Sequence, residues 1–541
     1  MPMPNWPRPG LEAVTTVSAL PAGTHGTTKS RHPLAPLFNA GTVRLRCARV
    51  LHSVEQNLSG SYRLDRAALD RLAQRVVSHL LATAATAPAF AAPFWQQLQV
   101  GGVDRLAEFD QLLKHESPAE QARAWADLAL LGVLLSADPG PRWRYSEQQA
   151  LPPAAFAQAT PDELLALLDR AGKTAAPAVP RDAKPDAAED TPAPATTDTS
   201  SLTGELTPAP ASAPTSAPDS ASASAPSSGG STGLALATFR AFVAGAFSAD
   251  KAHPCRADAA TLRHVDVAAL RAMLQGTPQN PNLGLEGRAA LLSRWGHMLQ
   301  SRPGAGGAQA RPCDLVQALA TPAGPGAEVQ AAALLAELLR AASATWHTAP
   351  VQGLPAGDVW QHRWAGEATG ADLGTNLGKD VETDLGTDLS ADLGTDLGTD
   401  LGTSGWVPLH AAAQAMVGAL ALPLQKAGYR LSGLEQLTAS ADHVASSLLL
   451  AAGVIVPRQQ RLLSRSLKLS DEAVIECRAL TVALFDELTG QVRSTLQSQH
   501  GAAAAGMTVA EVVNATAAVL ALGASHGAAP ALTIEGDGAV F

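Results

Sequence analysis

The chain has 541 residues, of which 46% are hydrophobic but only 4% are aromatic. Much of the apolar share is alanine and leucine, which favours helices because alanine loses no side-chain entropy in a helix. The formal net charge of −10 argues against a nucleic-acid-binding surface, which needs a basic footprint.

The cysteines and the N-terminus bear on the compartment. Cys47, Cys255, Cys313 and Cys477 lie far apart and form no CxxC pair, a pattern typical of a reducing compartment and unfavourable for a zinc site. The start, MPMPNWPRPG, lacks the basic and apolar regions of a signal peptide. No apolar run is long enough to span a bilayer. We therefore expect a cytoplasmic protein without a membrane partner.

Most of the elements predicted from the sequence are helices. Residues 1–36 are rich in Pro, Gly and Thr and are expected to be flexible, and a single, mostly α, multi-helix domain is predicted for 37–541. The last ten residues, LTIEGDGAVF, alternate apolar and polar residues and are expected to form a lone strand or an extended tail. Apolar residues three and four apart predict helices over 43–51, 64–81, 122–135, 234–247, 286–300, 327–343, 407–424 and 472–497.

Two inserts are predicted to interrupt this domain as disordered loops. Residues 173–232 are almost all Ala, Pro, Ser, Thr and Asp, so they cannot bury enough surface to offset the entropy of ordering. A capping box at 160–163 predicts a short helix just before them. Residues 371–405 repeat Asp-Leu-Gly-Thr. Calcium binding is the alternative there, but the nonapeptide of calcium-binding β-rolls is absent, which favours an acidic solvated linker.

Three arginines lie in the middle of apolar helix faces: Arg240, Arg288 and Arg478. Because arginine keeps its charge, a buried one must meet a carboxylate or an anionic ligand. Each could therefore form a structural ion pair, or all three could line one anionic pocket. Phe239 and His410 complete the predicted set of substrate- and phosphate-binding residues.

Four carboxylates could form ion pairs with these arginines: Glu286, Asp358, Asp442 and Glu476. Asp442 and Glu476 are the candidates for catalysis, although Asp442 could instead be the N-cap of the helix that follows it. His410 and His443 are further candidates for acid–base work, with a structural role as the alternative. No nucleotide-binding, metalloprotease or serine-hydrolase motif occurs, so no metal and no cofactor are predicted.

Several segments together resemble the uracil-catabolism protein 4 family. They include GLALATFRAFVAGAFSAD, NPNLGLEGRAALLSRWG, GDVWQH, WVPLHAAAQ, IECRALTVALFDEL and LTIEGDGAVF, and the resemblance covers nearly the whole chain outside the inserts. That family is tied to a pyrimidine-degradation route in which uracil is ribosylated and its ring is opened. The resemblance therefore implies a small-molecule, ribose-phosphate type of substrate.

A weaker similarity links LTASAD…GVI and IECRALTVAL to queuosine-salvage N-glycosidases. It implies a helical fold related to DNA glycosylases, and it places Asp442 at the acidic residue of the Ala-Asp-Tyr-Arg stretch of those enzymes. The chain departs from them at His443-Val444, Ser446-Ser447 and Cys477.

Together these resemblances imply a hydrolase that cleaves the N-glycosidic bond of a ribosylated, ring-opened pyrimidine 5′-phosphate. A uracil phosphoribosyltransferase is one alternative, but its acidic pair after a buried strand is missing, because Glu189-Asp190 lies in the first insert. The other alternative is a non-catalytic binding or regulatory protein of the same route, because the residues that depart from the N-glycosidases lie beside Asp442.

Overall fold

The computed structural model describes residues 33–83, 92–147, 228–302, 307–320, 323–324, 326–346, 349–366, 404–500, 506–523 and 532–535. These residues form one predominantly helical body with only short strands, which confirms the predicted fold class. The α-helices are α1 (Ala40–Glu55), α2 (Arg66–Thr83), α3 (Pro93–Gln97), α4 (Arg105–Leu113), α5 (Pro118–Leu134), α6 (Gly230–Val243), α7 (Ala259–Arg263), α8 (Val267–Met273), α9 (Leu285–Ser301), α10 (Ala331–Ala342), α11 (Ala411–Lys426), α12 (His443–Ala451), α13 (Arg461–Ser464), α14 (Glu472–His500) and α15 (Val509–Gly523).

The strands form five two-stranded pairs within the described ranges. β1 pairs with β8, β2 with β3 and β5 with β6 in antiparallel fashion, whereas β4 pairs with β7 and β9 with β10 in parallel. The strands are β1 (Tyr62–Leu64), β2 (Arg144–Tyr145), β3 (Ser228–Gly229), β4 (Glu328–Gln330), β5 (Val359–Gln361), β6 (Trp406–Pro408), β7 (Arg430–Ser432), β8 (Ile455–Pro457), β9 (Ser466–Lys468) and β10 (Thr533–Glu535).

Local signals explain the start of α5. The Ser117 hydroxyl accepts a hydrogen bond from the backbone N–H of Glu120, and Pro118 occupies the first turn of α5, as expected for a capped helix start. The predicted helices 122–135, 286–300 and 472–497 are confirmed by α5, α9 and α14. Three predicted helices are partly wrong at their ends: α6 stops at Val243, and the starts of 327–343 and 407–424 are the strands β4 and β6.

Described structure includes the last residues before position 37. Leu34 and Leu37 are completely buried, and residues 35–38 form a turn of 3-10 helix. At the other end, β10 pairs with β9 and is therefore not a lone strand. The short helix predicted after residue 160 lies outside the described residues.

Both inserts leave and re-enter the body at adjacent points. Before the first insert Tyr145 pairs with Ser228 across β2 and β3, so described structure resumes inside the predicted range 173–232. Around the second insert, a Cβ atom added at Gly366 would lie 3.2 Å from Oγ of Ser404. The remainder of both predicted inserts, 173–227 and 371–403, lies outside the described residues. Paired ends of this kind are what loops inserted into one body require.

Two hydrophobic clusters make up the core. One surrounds α5, α6, α9, α10 and α11, where α5 packs along α11. The other surrounds α1, α2, α12, α14 and α15, where α1 packs along α14. The candidate site residues at the start of α14 lie at the edge of this second cluster.

Candidate active site

Arg478 forms a bidentate ion pair with Asp358. Its Nη1 and Nη2 atoms donate to the two carboxylate oxygens at 2.9 and 2.7 Å, and its Nε donates to the Ala441 carbonyl at 3.0 Å. Asp358 also accepts from the indole of Trp360 and the backbone N–H of Ala411. Burial alone would raise the pKa of Asp358, but the Arg478 charge and hydrogen bonds outweigh it and hold the pKa below its ordinary value.

Arg240 lies in a separate network of charges. Its Nε donates to Glu147 at 2.7 Å and its Nη1 to Glu108, while its guanidinium stands 5.1 Å from the centre of the Phe239 ring. Arg105 donates to the same Glu147 carboxylate. Phe239, the residue before Arg240, is completely buried, and its ring meets that of Phe109 edge to face.

Arg288 is completely buried and binds backbone oxygens. Its guanidinium donates to the carbonyls of Ala137 and Leu283 and to the Asn282 side chain at 3.1 Å. The partners named here differ from one arginine to the next. Each of the three arginines therefore has protein contacts of its own in the described part of the chain.

Asp442 is the N-cap of α12, the alternative considered for it from the sequence. Its Oδ1 accepts from the backbone N–H of Ala445 at 2.8 Å. Arg478 contacts the preceding carbonyl, that of Ala441, so Asp442 lies beside the Arg478–Asp358 pair. Glu476 and Arg478 are two residues apart on α14 and project about 200° apart around the helix. The two carboxylates predicted for catalysis are thus on different sides of α14.

His410 is buried in an unusual backbone conformation. Its φ of 46° places it in the left-handed region at the start of α11, and its Nε2 lies 2.8 Å from the Leu37 carbonyl oxygen. Burial lowers its pKa. Because it touches the first buried residues of the body, His410 fixes the N-terminal segment against α11.

Glu476 is 3% exposed and lies between α1 and β5 in space. The Ser59 hydroxyl, from the loop after α1, donates to its Oε1. Its Oε2 lies 3.9 Å from Nε2 of His362, which follows β5. Burial raises the pKa of Glu476 to about 7, although the Ser59 hydrogen bond opposes this. Glu476 can therefore release or take up a proton near neutral pH.

His362 is a neighbour of Glu476 that the sequence did not predict. Its Nδ1 accepts from the backbone N–H of Trp364 at 3.3 Å, so the proton of the neutral ring lies on Nε2, which has no hydrogen-bond partner in the described part of the chain. Burial lowers the pKa of His362 to about 4. The only sequence signal was its position at the end of GDVWQH, and the acidic residue of that segment, Asp358, pairs with Arg478 instead.

A cleft of about 330 Å³, here called the His362 cleft, opens beside His362. It is lined by Gln361, His362, Arg363, Ser404, Ser470 and Glu472. Glu472 lies one helical turn before Glu476 and accepts two hydrogen bonds from Arg363. Both partners of this ion pair are exposed, so the pair lies on the solvent side of Glu476.

A second cleft of about 300 Å³ shares the Glu472 wall. It is called the arginine cleft, and its lining includes Gly60, Ser61, Arg461, Arg465, Asp471 and Glu472. Gly60 and Ser61 directly follow Ser59, the hydroxyl donor to Glu476. The two clefts therefore share Glu472, and each is lined by a contact residue of Glu476 or by its chain neighbours.

Neither a metal centre nor a membrane span is found in the described ranges. No group of three or more His, Cys, Asp or Glu side chains there is placed to hold a metal ion. None of the helices described combines the length and the apolar character needed to cross a bilayer.

The comparisons place the chain in a family. The family described as protein of unknown function (DUF1688) matches residues 36–156 and 220–541. Because these segments make up most of the chain, the chain belongs to this family. No curated protein matches it.

Proposed function

We propose that this member of the DUF1688 family is a hydrolase that cleaves the N-glycosidic bond of a ribosylated, ring-opened pyrimidine 5′-phosphate, with Glu476 as the proton donor. The observation that carries the proposal is the buried Glu476 carboxyl, whose pKa of about 7 suits proton transfer at neutral pH. The resemblance to pyrimidine-degradation and N-glycosidase families supplies the substrate class.

Two carboxylates in different surroundings support glycosidic chemistry. Glu476 is buried and has a pKa raised to about 7, whereas Glu472 is exposed and paired with Arg363. Glycosidases combine a carboxylic acid, which protonates the leaving group, with a carboxylate, which activates water and stabilises an oxocarbenium-like state. Glu476 and Glu472 fit these two roles, one helical turn apart.

The proposed step balances as a hydrolysis. The Glu476 proton passes to the leaving nitrogen as the bond from C1 of the ribose to that nitrogen breaks. Water forms the new bond to C1 and gives a proton to Glu472. Exchange of protons with solvent then restores both carboxyl groups. The Nε2–H of His362, 3.9 Å from Oε2, is available to stabilise the Glu476 carboxylate once the proton has left.

Because Glu476 is buried and lines neither cleft, we infer that a substrate reaches it when the Arg363–Glu472 pair opens. Exposed ion pairs contribute only about 0–1 kcal/mol of stability, so a bound substrate can displace this one at little cost. Opening the pair also frees Glu472 to receive the proton of water.

The test is to incubate the protein with ribosylurea 5-phosphate and to measure the urea and ribose 5-phosphate released. Glu476→Gln should lower turnover by at least ~10²-fold while substrate binding is kept. Glu337→Gln is the matched control, because Glu337 is another partly buried carboxyl with a raised pKa, located on α10. Tight binding without turnover by the wild type would instead favour a non-catalytic binding protein.

A further inference from the structure

The arginine cleft carries two positive charges that lack ion-pair partners. Arg461 and Arg465 are both exposed and line the cleft, and neither forms a side-chain hydrogen bond or salt bridge with any residue in the described ranges. The backbone N–H of Arg465 donates to the Arg461 carbonyl at 3.2 Å. This helical bond places the two arginines one turn apart on the same side of the chain. An anion that contacts both guanidinium groups would relieve the repulsion between them.

The acidic residues of the same cleft already have partners. Asp471 Oδ2 accepts from the backbone N–H of Lys468 at 3.0 Å, and Glu472 accepts from Arg363. Arg458, nearby in the chain, donates to the Tyr62 carbonyl and to the Asn57 side chain. The arginines that remain available are therefore Arg461 and Arg465.

The start of α14 also borders this cleft. The helix has 29 residues and begins at Glu472, and Asp471, Glu472 and Ala473 all belong to the cleft lining. The N-terminus of a long helix carries a partial positive charge from its aligned peptide dipoles. Arginine pairs together with such a helix start match the charge and the oxygen geometry of phosphate.

We propose that the arginine cleft binds the phosphate group of a phosphate monoester through Arg461 and Arg465. This inference rests in part on the proposed function, since a phosphate held here would direct the attached sugar towards Glu472, the wall shared with the His362 cleft. The phosphate-binding residues are then Arg461 and Arg465 in place of Arg240, Arg288 and Arg478, whose guanidinium groups have protein partners.

Titration calorimetry of the full chain with ribose 5-phosphate, inorganic phosphate and ribose tests the proposal. The wild type should bind ribose 5-phosphate, bind inorganic phosphate more weakly, and show no heat with ribose. The double variant Arg461→Gln/Arg465→Gln should raise the Kd for ribose 5-phosphate at least tenfold without a change in melting temperature. Arg271→Gln, at an exposed helical arginine outside the cleft, should bind as the wild type does.

Each result separates this inference from the proposed function. Unchanged affinity in the double variant, equal losses in the Arg271→Gln control, or no binding of any phosphate by the wild type would overturn the phosphate site. Binding of inorganic phosphate as tightly as ribose 5-phosphate would identify a free-phosphate site and overturn the monoester assignment. The hydrolase proposal would fail in a different way. In that case ribose 5-phosphate would still bind through Arg461 and Arg465, but the protein would release no urea from ribosylurea 5-phosphate.

Discussion

Arg478 and Asp358 lie 120 residues apart in the chain and form the bidentate ion pair that joins the start of β5 to α14. The same pair reaches two helix starts, because Asp358 accepts from the N–H of Ala411 and Arg478 donates to the carbonyl before Asp442. Four segments of the chain therefore meet at these two side chains. Such an arrangement is typical of an ion pair that stabilises the fold by joining distant segments.

Arg478→Met should destabilise the fold. The variant keeps the apolar stem but leaves the Asp358 carboxylate without its cation, and breaking a buried pair typically costs ~3–5 kcal/mol. Urea unfolding of the wild type and the variant measures this. In a double-mutant cycle, Asp358→Asn should remove much of the penalty, because the amide leaves no orphaned charge. If Arg478→Met keeps its stability but loses affinity for ribose 5-phosphate, the arginine holds the ligand instead.

Glu476→Gln should change how stability depends on pH. The folded-state pKa of Glu476, about 7, lies above the ordinary value of 4.5, so the folded chain binds this proton more tightly than the unfolded chain does. Its contribution to stability is complete below pH 4.5 and is lost as the pH rises through 7. The advantage of the wild type over Glu476→Gln should therefore shrink by about 3 kcal/mol between pH 4.5 and 7.5.

Chemical unfolding of both proteins across that pH range checks the Glu476 prediction. The titration of His362, whose pKa of about 4 lies below its ordinary value, affects both proteins and largely cancels in the difference. Ser59→Ala should move the Glu476 step to higher pH, because the lost hydroxyl stabilises the charged carboxylate. A stability difference that stays constant with pH would show that Glu476 is ionised throughout.

Removal of both inserts should leave the folded body intact. A chain lacking 176–226 and 372–402 keeps β3 and the Ser404 contact, and the cost of closing a loop changes slowly with its length. The melting temperature should stay within a few degrees of the wild-type value. A longer first deletion, 176–230, is the informative comparison, because it also removes β3 and the first residue of α6. Equal stability of both deletions would mean that the β2–β3 pair contributes nothing.

The sequence predicts the long helices well and the short strands poorly. Helices such as α9 and α14 bury one face along many turns, so their apolar spacing is visible in a single sequence. β4 and β7 have three residues each, too few to display a period of two, and their partners lie about 100 residues apart. Pairing at that distance depends on the packing of the helices around it, which local patterns do not contain.

The candidate site was predictable only in part. Glu476 was a candidate for catalysis, and Arg478 was expected to meet a carboxylate, with Asp358 among those considered. His362 and Ser59 were not found, because they approach Glu476 from segments more than 100 residues away. The arginines of the second cleft were missed for another reason. Arg461 and Arg465 lie in a polar, exposed stretch, which looks like ordinary surface until the fold places it against α14.

Asp442→Asn should leave turnover and stability nearly unchanged. Asparagine caps a helix about as well as aspartate, and the hydrogen bond from Ala445 needs only the side-chain oxygen that the amide keeps. Release of urea from ribosylurea 5-phosphate by this variant should stay within a few-fold of the wild type, whereas Glu476→Gln loses it. Asp442→Ala is the control for the cap and should cost about 1 kcal/mol of stability. A loss of ~10²-fold in turnover by Asp442→Asn, with Glu476→Gln still active, would transfer the catalytic carboxylate from Glu476 to Asp442.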